Sequence, residues 1–312
     1  MKIPFKKIFS FFLLFLIGFI LAYFIIYFNQ ETKILSEETR KEAPGKFIKL
    51  SVGTTHYEFT GADTAQTLVM IHGGGSGYFC FDNNIKDLQQ AGFRILRYDL
   101  YGRGYSDRLP VDYSPELFHT QLTELLAALK IDKPVSLLGM SMGAIIAINF
   151  TDQFPEKVQK LILVDPAAIN PFVPALPLRL PVVADVLMTV YWYPRAINKQ
   201  MSEYYKPENL PEYAEKLSPQ MKFKGFKHAI LSTWKHTMSR TMETEIKRIG
   251  TNQRPVLLIW GDHDPLVPVT ASEKYLQAMP KATLQVIKDA GHVSCYERPD
   301  LVNPILIDFL QK

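Results

Sequence analysis

The sequence predicts an α/β fold: a mostly parallel central sheet flanked by helices, with a helical insertion and one apolar N-terminal helix. Three observations predict it. Short apolar runs alternate with stretches of helical spacing over residues 67–165 and again from 255 to the end, the rhythm of strand–helix–strand units. The apolar run at 135–138 passes directly into Gly139-Met140-Ser141-Met142-Gly143 and then into an Ala- and Ile-rich helix. Between 166 and 248 the rhythm stops, and a proline- and aromatic-rich segment replaces it.

In chain order, residues 8–28 are apolar except for Ser10, Gly18 and two tyrosines, a stretch long enough to cross a bilayer core as one helix. No small-x-small cleavage pattern follows, so an uncleaved anchor is expected rather than a removed signal. Lys2, Lys6 and Lys7 precede it and favour a cytoplasmic N-terminus with the rest of the chain on the extracytoplasmic side, although Lys33, Arg40, Lys41 and Lys46 follow it. Residues 29–45 are polar, end in Ala43-Pro44-Gly45, and read as a tether of mixed helix and coil. The expected division is therefore a membrane anchor at 1–28, a tether at 29–45 and one α/β domain at 46–312.

Within that domain, residues 47–59 read as two strands about Gly53-Thr54. Strands are expected at 67–72, 94–100, 135–138, 160–165, 255–261 and 282–288. Helices are expected at 82–91, 115–129, 142–148, 270–279 and 301–310. The insertion at about 166–248 is expected to be mostly helical and to lie over the strand ends as a lid. Arg179, Asp185 and internal prolines argue against a second membrane span there.

Composition excludes several classes. Apolar residues make up 47% and the net charge is +4, with no Lys/Arg block of the kind that binds nucleic acid. His263-Asp264 lacks a third ligand at metal spacing, and the glycine loop after His72 has no P-loop lysine, so no metal, nucleotide or other cofactor is implied. Cys80 and Cys295 are expected as buried free thiols, with a single bridge as the alternative.

What remains is nucleophilic chemistry. A strand that turns at once into a helix lifts its central serine clear of the sheet at a helix N-terminus, and the flanking glycines admit the tight bend. Ser141 is thus the candidate nucleophile. A serine hydroxyl needs a base, and the base needs an orienting acid. His292 follows the last strand and Asp264 the one before it. Asp262 and Asp165 are the alternative acids. An oxyanion needs backbone donors; Met142 N–H, directly after the nucleophile, and Gly74 N–H in the glycine loop are the candidates.

These segments together resemble the α/β-hydrolase superfamily over residues 46–312. The motifs are His72-Gly73-Gly74-Gly75, Asp99-Leu100-Tyr101-Gly102-Arg103-Gly104-Tyr105-Ser106, the turn at Ser141, Trp260-Gly261-Asp262-His263-Asp264-Pro265-Leu266-Val267-Pro268, and Gly291-His292. The order Ser141, Asp264, His292 matches that superfamily's triad. The glycine loop and the serine turn are similar to those of meta-cleavage-product C–C hydrolases and monoacylglycerol-lipase-like esterases, though Ser76 stands where the C–C hydrolases usually carry proline. A serine at 141 separates the chain from dehalogenases and epoxide hydrolases, whose nucleophile is a carboxylate. The resemblance implies a serine hydrolase. The expectation is a membrane-anchored enzyme cleaving a small-molecule ester of an apolar acid, its bilayer contact made through residues 8–28. Two alternatives are carried: C–C hydrolysis of a vinylogous diketone, with Arg195 or Arg240 binding a carboxylate, and a non-catalytic binding protein on the same fold.

Overall fold

The computed structural model describes residues 5–312, so Lys2 of the leading lysines lies outside the described residues. Eight strands form one sheet: β1 (Lys46–Lys49), β2 (Thr54–Thr60), β3 (Thr67–Ile71), β4 (Arg94–Tyr98), β5 (Val135–Met140), β6 (Val158–Val164), β7 (Val256–Gly261) and β8 (Thr283–Ile287). Their order across the sheet is β1-β2-β4-β3-β5-β6-β7-β8. Only the β1–β2 and β2–β4 pairs are antiparallel; every pair from β4 to β8 is parallel.

The side-chain period of two, with a core on either face, explains why the central strands β3 and β7 read as nearly continuous apolar runs. In β3, Val69 and Ile71 enter the core on one face while Leu68 and Met70 enter the core on the other. Strand β7 repeats this, with Val256, Leu258 and Trp260 on one side and Leu257 and Ile259 on the other. Helices Pro115–Ala128, Met142–Gln153 and Glu243–Gly250 contribute to the first core, and Asp82–Gln90 and Pro299–Gln311 to the second. Both faces are covered, and the loops at the carboxyl ends of the strands are left to carry a site.

The bend between β5 and Met142–Gln153 is set by two glycines. A Cβ on Gly139 would lie 2.5 Å from Gly143 O, and one on Gly143 would collide with the carbonyl oxygens of Ile71 and His72. We expect Gly143→Val to destabilise the fold by about 3 kcal/mol, because backbone rather than a flexible side chain must give way. Chemical denaturation of the variant against the parent checks it.

Between β6 and β7 the chain builds the expected helical insertion. Its longer helices are Pro211–Met221 and Phe226–His236, with shorter ones at Leu176–Arg179, Pro181–Leu187 and Ala196–Met201, whereas Glu243–Gly250, whose start falls within the insertion expected at about 166–248, packs on the sheet's first core instead. It is joined to the loop after β8 by a backbone bond, His292 N–H to Glu203 O at 2.8 Å.

Helix Phe5–Phe28 is continuous, and its apolar stretch Phe9–Phe28 has mean hydropathy 2.7 and no buried residue. The segment after it is coil with one short helix, Glu37–Arg40, and it is docked rather than loose. Arg40 pairs with Asp107, and Pro44 O accepts from the buried His56 ring. Cys80 and Cys295 are both free and both fully buried.

Candidate active site

Five loops at the carboxyl ends of β3, β5, β6, β7 and β8 meet under the insertion. The turn after β5 places Ser141 at φ +53° and ψ −118°, a backbone conformation that an L residue holds only when its surroundings impose it. Ser141 N–H donates to Val164 O at 2.9 Å, tying the turn to β6. The hydroxyl so presented lies 2.8 Å from His292 Nε2, and His292 Nδ1 lies 2.8 Å from Asp264 Oδ2. Asp264 Oδ1 is occupied by the N–H groups of Leu266 and Val267 at 2.8 Å each, which leaves Oδ2 to the imidazole. All three side chains are nearly buried, at 6%, 3% and 6% residue exposure for Ser141, His292 and Asp264.

The alternative acids are placed elsewhere. Asp165 accepts from Gly261 N–H at 2.8 Å and from the N–H and Oγ of Ser294 at 3.0 and 2.7 Å, so it closes the loops beside the site. Burial, and then the nearby Asp264 charge, push its carboxyl upward. Asp262 bonds His263 Nδ1 and Ala290 N–H.

An ionised Asp264 only accepts, so it fixes Nδ1 of His292 as a protonated nitrogen and turns Nε2 towards Ser141. Burial alone would lower the imidazole pKa. The Asp264 hydrogen bond and charge, with Glu203 and Asp165, outweigh it and raise the pKa to about 9. Since the ordinary value is near 6.5, this pairing stabilises the fold at neutral pH and loses that contribution as pH rises through about 9. For a step that needs the neutral ring, activity therefore rises with pH towards that value. We expect Glu203→Gln to move the acid limb of kcat/KM to lower pH, because one of the charges favouring the imidazolium is gone. A pH–rate profile of the two proteins checks the direction.

The glycine loop lies against the same turn. A Cβ on Gly73 would meet Ser141 Cβ at 3.2 Å, and one on Gly74 would meet Met142 Sδ at 3.5 Å. Its orientation comes from a residue that the sequence motif contained without a role. His72 Nε2 accepts from Leu100 N–H at 2.9 Å, so the proton sits on Nδ1, which donates to Gly73 O at 2.8 Å. Burial pushes the His72 pKa down to about 4 and keeps the ring neutral. In a trans peptide the N–H points opposite the carbonyl, so pinning Gly73 O turns Gly74 N–H away from His72. Arg103, fully buried, holds the next carbonyl, Gly74 O, at 3.0 Å. Among the described residues the N–H groups of Gly74 and Met142 have no hydrogen-bond partner. Two unused donors beside a histidine-linked hydroxyl are what a developing oxyanion requires.

The cavity over Ser141 has room for about 130 Å³. Its apolar lining includes Phe172, Trp192, Ile230, Trp234, Met238 and Leu266, and its polar lining includes Lys199, Gln200, Glu203 and Tyr213. A larger depression at the opposite, amino ends of the strands, around Thr67 and Lys130, contains none of the three linked residues. Arg195 and Arg240, expected as carboxylate ligands on the C–C reading, do not line the cavity. Arg195 stacks on Tyr191 and bonds Tyr191 O at 2.9 Å, and Arg240 pairs with Glu116 at 2.8 Å on the surface. Both lie on parts of the insertion whose facing is decided by packing, which spacing does not reveal. Glu203, whose backbone carbonyl accepts from His292 N–H at 2.8 Å and which lines the cavity, carries no sequence signal, because nothing in Ser202-Glu203-Tyr204 marks it.

The family model described as alpha/beta hydrolase fold matches residues 66–299. A 2-hydroxy-6-oxononadienedioate/2-hydroxy-6-oxononatrienedioate hydrolase of Pseudomonas putida is 31% identical over 82% of this chain and 91% of its own length. One of the same name from Dechloromonas aromatica is 30% identical over 88% of this chain and 98% of its own. Among solved structures, the enol-lactonase from Burkholderia xenovorans superposes with a TM-score of 0.73 at 21% identity, covering 86% of this chain and all of that one. With its sheet order, its serine turn and these relatives, the chain belongs to the alpha/beta hydrolase fold family and is a hydrolase.

Proposed function

We propose that the chain is a serine hydrolase using Ser141 as nucleophile, His292 as general base and then acid, Asp264 as the residue orienting His292, and the N–H groups of Gly74 and Met142 as the oxyanion hole. The observation that carries this is the unbroken chain Ser141 Oγ to His292 Nε2 at 2.8 Å and His292 Nδ1 to Asp264 at 2.8 Å, buried at the floor of a cavity. Ser141 Oγ attacks a carbonyl carbon and its proton passes to Nε2. The tetrahedral oxyanion is held by the two amides. The leaving group then takes the proton from the imidazolium, and water releases the acyl group by the same steps.

The bond broken has two readings. The two curated relatives are named as hydrolases of dienedioates and match over most of their own lengths. They support C–C hydrolysis of a vinylogous diketone, ahead of the ester cleavage expected from the sequence. On this reading Lys199, the one Lys or Arg among the described lining residues, is the candidate partner for a substrate carboxylate, in place of Arg195 and Arg240. Ester cleavage of an apolar acyl compound is kept on the character of the lining: among the described residues it has no arginine, is rich in aromatic and aliphatic groups, and sets Glu203 close to Lys199. A panel of p-nitrophenyl esters beside a 2-hydroxy-6-oxo-dienoate separates them. Turnover of the dienoate, lost in Lys199→Ala, selects C–C cleavage. Turnover of esters alone selects the second reading, and turnover of neither contradicts both.

We further propose the division at 1–28, 29–45 and 46–312, with 166–248 acting as a lid. In this division helix Phe5–Phe28 is a single-pass anchor and the domain is extracytoplasmic. At 24 residues the helix is about 36 Å long, enough to span the roughly 30 Å hydrocarbon core. The cavity's size supports the lid. It is smaller than the roughly 300–1,000 Å³ usual for a site closed round a drug-sized ligand, so a longer substrate must reach out past Phe172 and Leu266 or displace the insertion.

A further inference from the structure

The end of helix Phe5–Phe28 leans on the insertion: Phe24 and Phe28 share a groove with Val190, Pro194 and Arg195. The chain just beyond is clamped there. The Glu31 carboxylate accepts from the N–H groups of Gly225 and Lys227 at 3.2 and 2.6 Å, at the start of helix Phe226–His236. Lys227 Nζ reaches Asn29 Oδ1 at 2.9 Å and Thr189 Oγ1 at 3.0 Å. Lys33 bonds through its backbone to Lys222 O and Lys224 N–H, both at 2.9 Å. These contacts fix the insertion against the helix end, so its height is known relative to any bilayer the helix spans.

That height matters because of what the insertion exposes. Residues 171–187 carry only Arg179 and Asp185 as charges. Leu176 and Val182 are 69% and 77% exposed, and Phe172, Val173, Leu180 and Tyr191 are exposed beside them. Scattered apolar residues on a surface need no explanation, whereas a contiguous run of this kind marks a docking face. Phe24 lies one helical turn, about 6 Å, inside the helix end, so Val190, sharing its groove, stands at the boundary between acyl chains and headgroups. Tyr23 and Tyr27 on the helix and Tyr191 on the insertion are the residue type that favours this layer. Arg179 lies within this run and Arg195 borders the groove that Phe24 shares. Phe172 belongs both to the exposed run and to the lining of the cavity over Ser141.

We infer that residues 172–191 are seated in the headgroup–acyl boundary of the bilayer that the N-terminal helix spans, and that the cavity takes an amphiphile entering sideways from the lipid past Phe172. The inference rests on the anchor reading above and deepens it. It is independent of which bond is cleaved. Helices Leu176–Arg179 and Pro181–Leu187 are far too short to cross a bilayer, so their apolar side chains reach only its interfacial layer.

The full chain is reconstituted in phosphatidylcholine–phosphatidylglycerol vesicles, with a nitroxide placed in turn on Val182→Cys, Leu16→Cys and Lys312→Cys. Cys80 and Cys295 are fully buried and do not compete for the label. Collision with oxygen, which concentrates in lipid, and with a water-soluble nickel complex reports depth. The expected result is Leu16 deep in lipid, Lys312 in water, and Val182 at the interface, with nickel accessibility at least about threefold below Lys312. Leu16 in lipid with Val182 as accessible to nickel as Lys312 overturns the docking alone. Leu16 in water overturns the anchor reading and the docking together. Val182 shielded from both reagents, as by a second copy of the chain, also overturns the docking. Leu176→Glu with Val182→Glu is then expected to raise KM about tenfold for a vesicle-borne substrate while leaving kcat/KM for a short water-soluble one unchanged; equal effects on both contradict the lateral route.

Discussion

Ser141→Ala lowers kcat by about a millionfold while leaving the fold intact, on the assignment proposed here. The size follows from what the hydroxyl does. On that assignment it forms the covalent intermediate, and its removal also strands His292 Nε2, whose partner it is at 2.8 Å. The residual rate reflects binding and the two amide donors acting on attack by water. The substitution adds no strain that serine does not already bear, because the φ of +53° is held by Ser141 N–H to Val164 O and by the packed glycines on either side. Steady-state kinetics on whichever substrate the panel selects, with a thermal melt to show that folding is unchanged, checks the expectation. A fall of less than about a hundredfold would place the nucleophile elsewhere.

Asp264→Asn is the second large effect, lowering kcat about 10⁴-fold with little change in KM. The amide keeps the shape and one acceptor oxygen. The N–H groups of Leu266 and Val267, which now meet Oδ1, require an acceptor there. The amide oxygen must therefore take that side, and the NH₂ faces His292 Nδ1. That nitrogen is then an acceptor, the imidazole is held in the wrong tautomer, and Nε2 carries a proton where it must receive one. Asp165→Asn supplies the contrast. Its carboxylate serves Gly261 and Ser294 and bonds no atom of the linked three, so its loss is expected to lower stability much more than the chemical step. Comparable losses of kcat in both variants would mean that the acid has been misassigned.

The strands and the three linked residues were legible in the sequence because both depend on local rules. A parallel strand covered on both faces is apolar almost throughout, and β3, β5 and β7 are so, Thr67 and Ser136 apart. A strand running straight into a helix must have glycine where backbones meet, and Gly139 and Gly143 are placed accordingly. Asp264 and His292 stand at strand ends, and strand ends converge in this topology whatever the loops between them do. The insertion obeys no such rule. Its facing is set by contacts far apart in sequence, such as Glu31 with Lys227, 196 residues away. Hence its existence and helical character were readable, while Arg195 and Arg240 were expected at a cavity that they do not face. Positioning by His72 was hidden for a different reason. It acts through a peptide plane, on the Gly73 carbonyl, and side-chain identity does not reveal that a carbonyl needs holding.

The most direct test of the whole account is reaction of the folded full chain with a fluorophosphonate, followed by peptide mapping. The account predicts one adduct, on Ser141, that is absent in Ser141→Ala and forms far more slowly in His292→Ala. A folded protein that takes no label, or that takes it at any other residue, would contradict it.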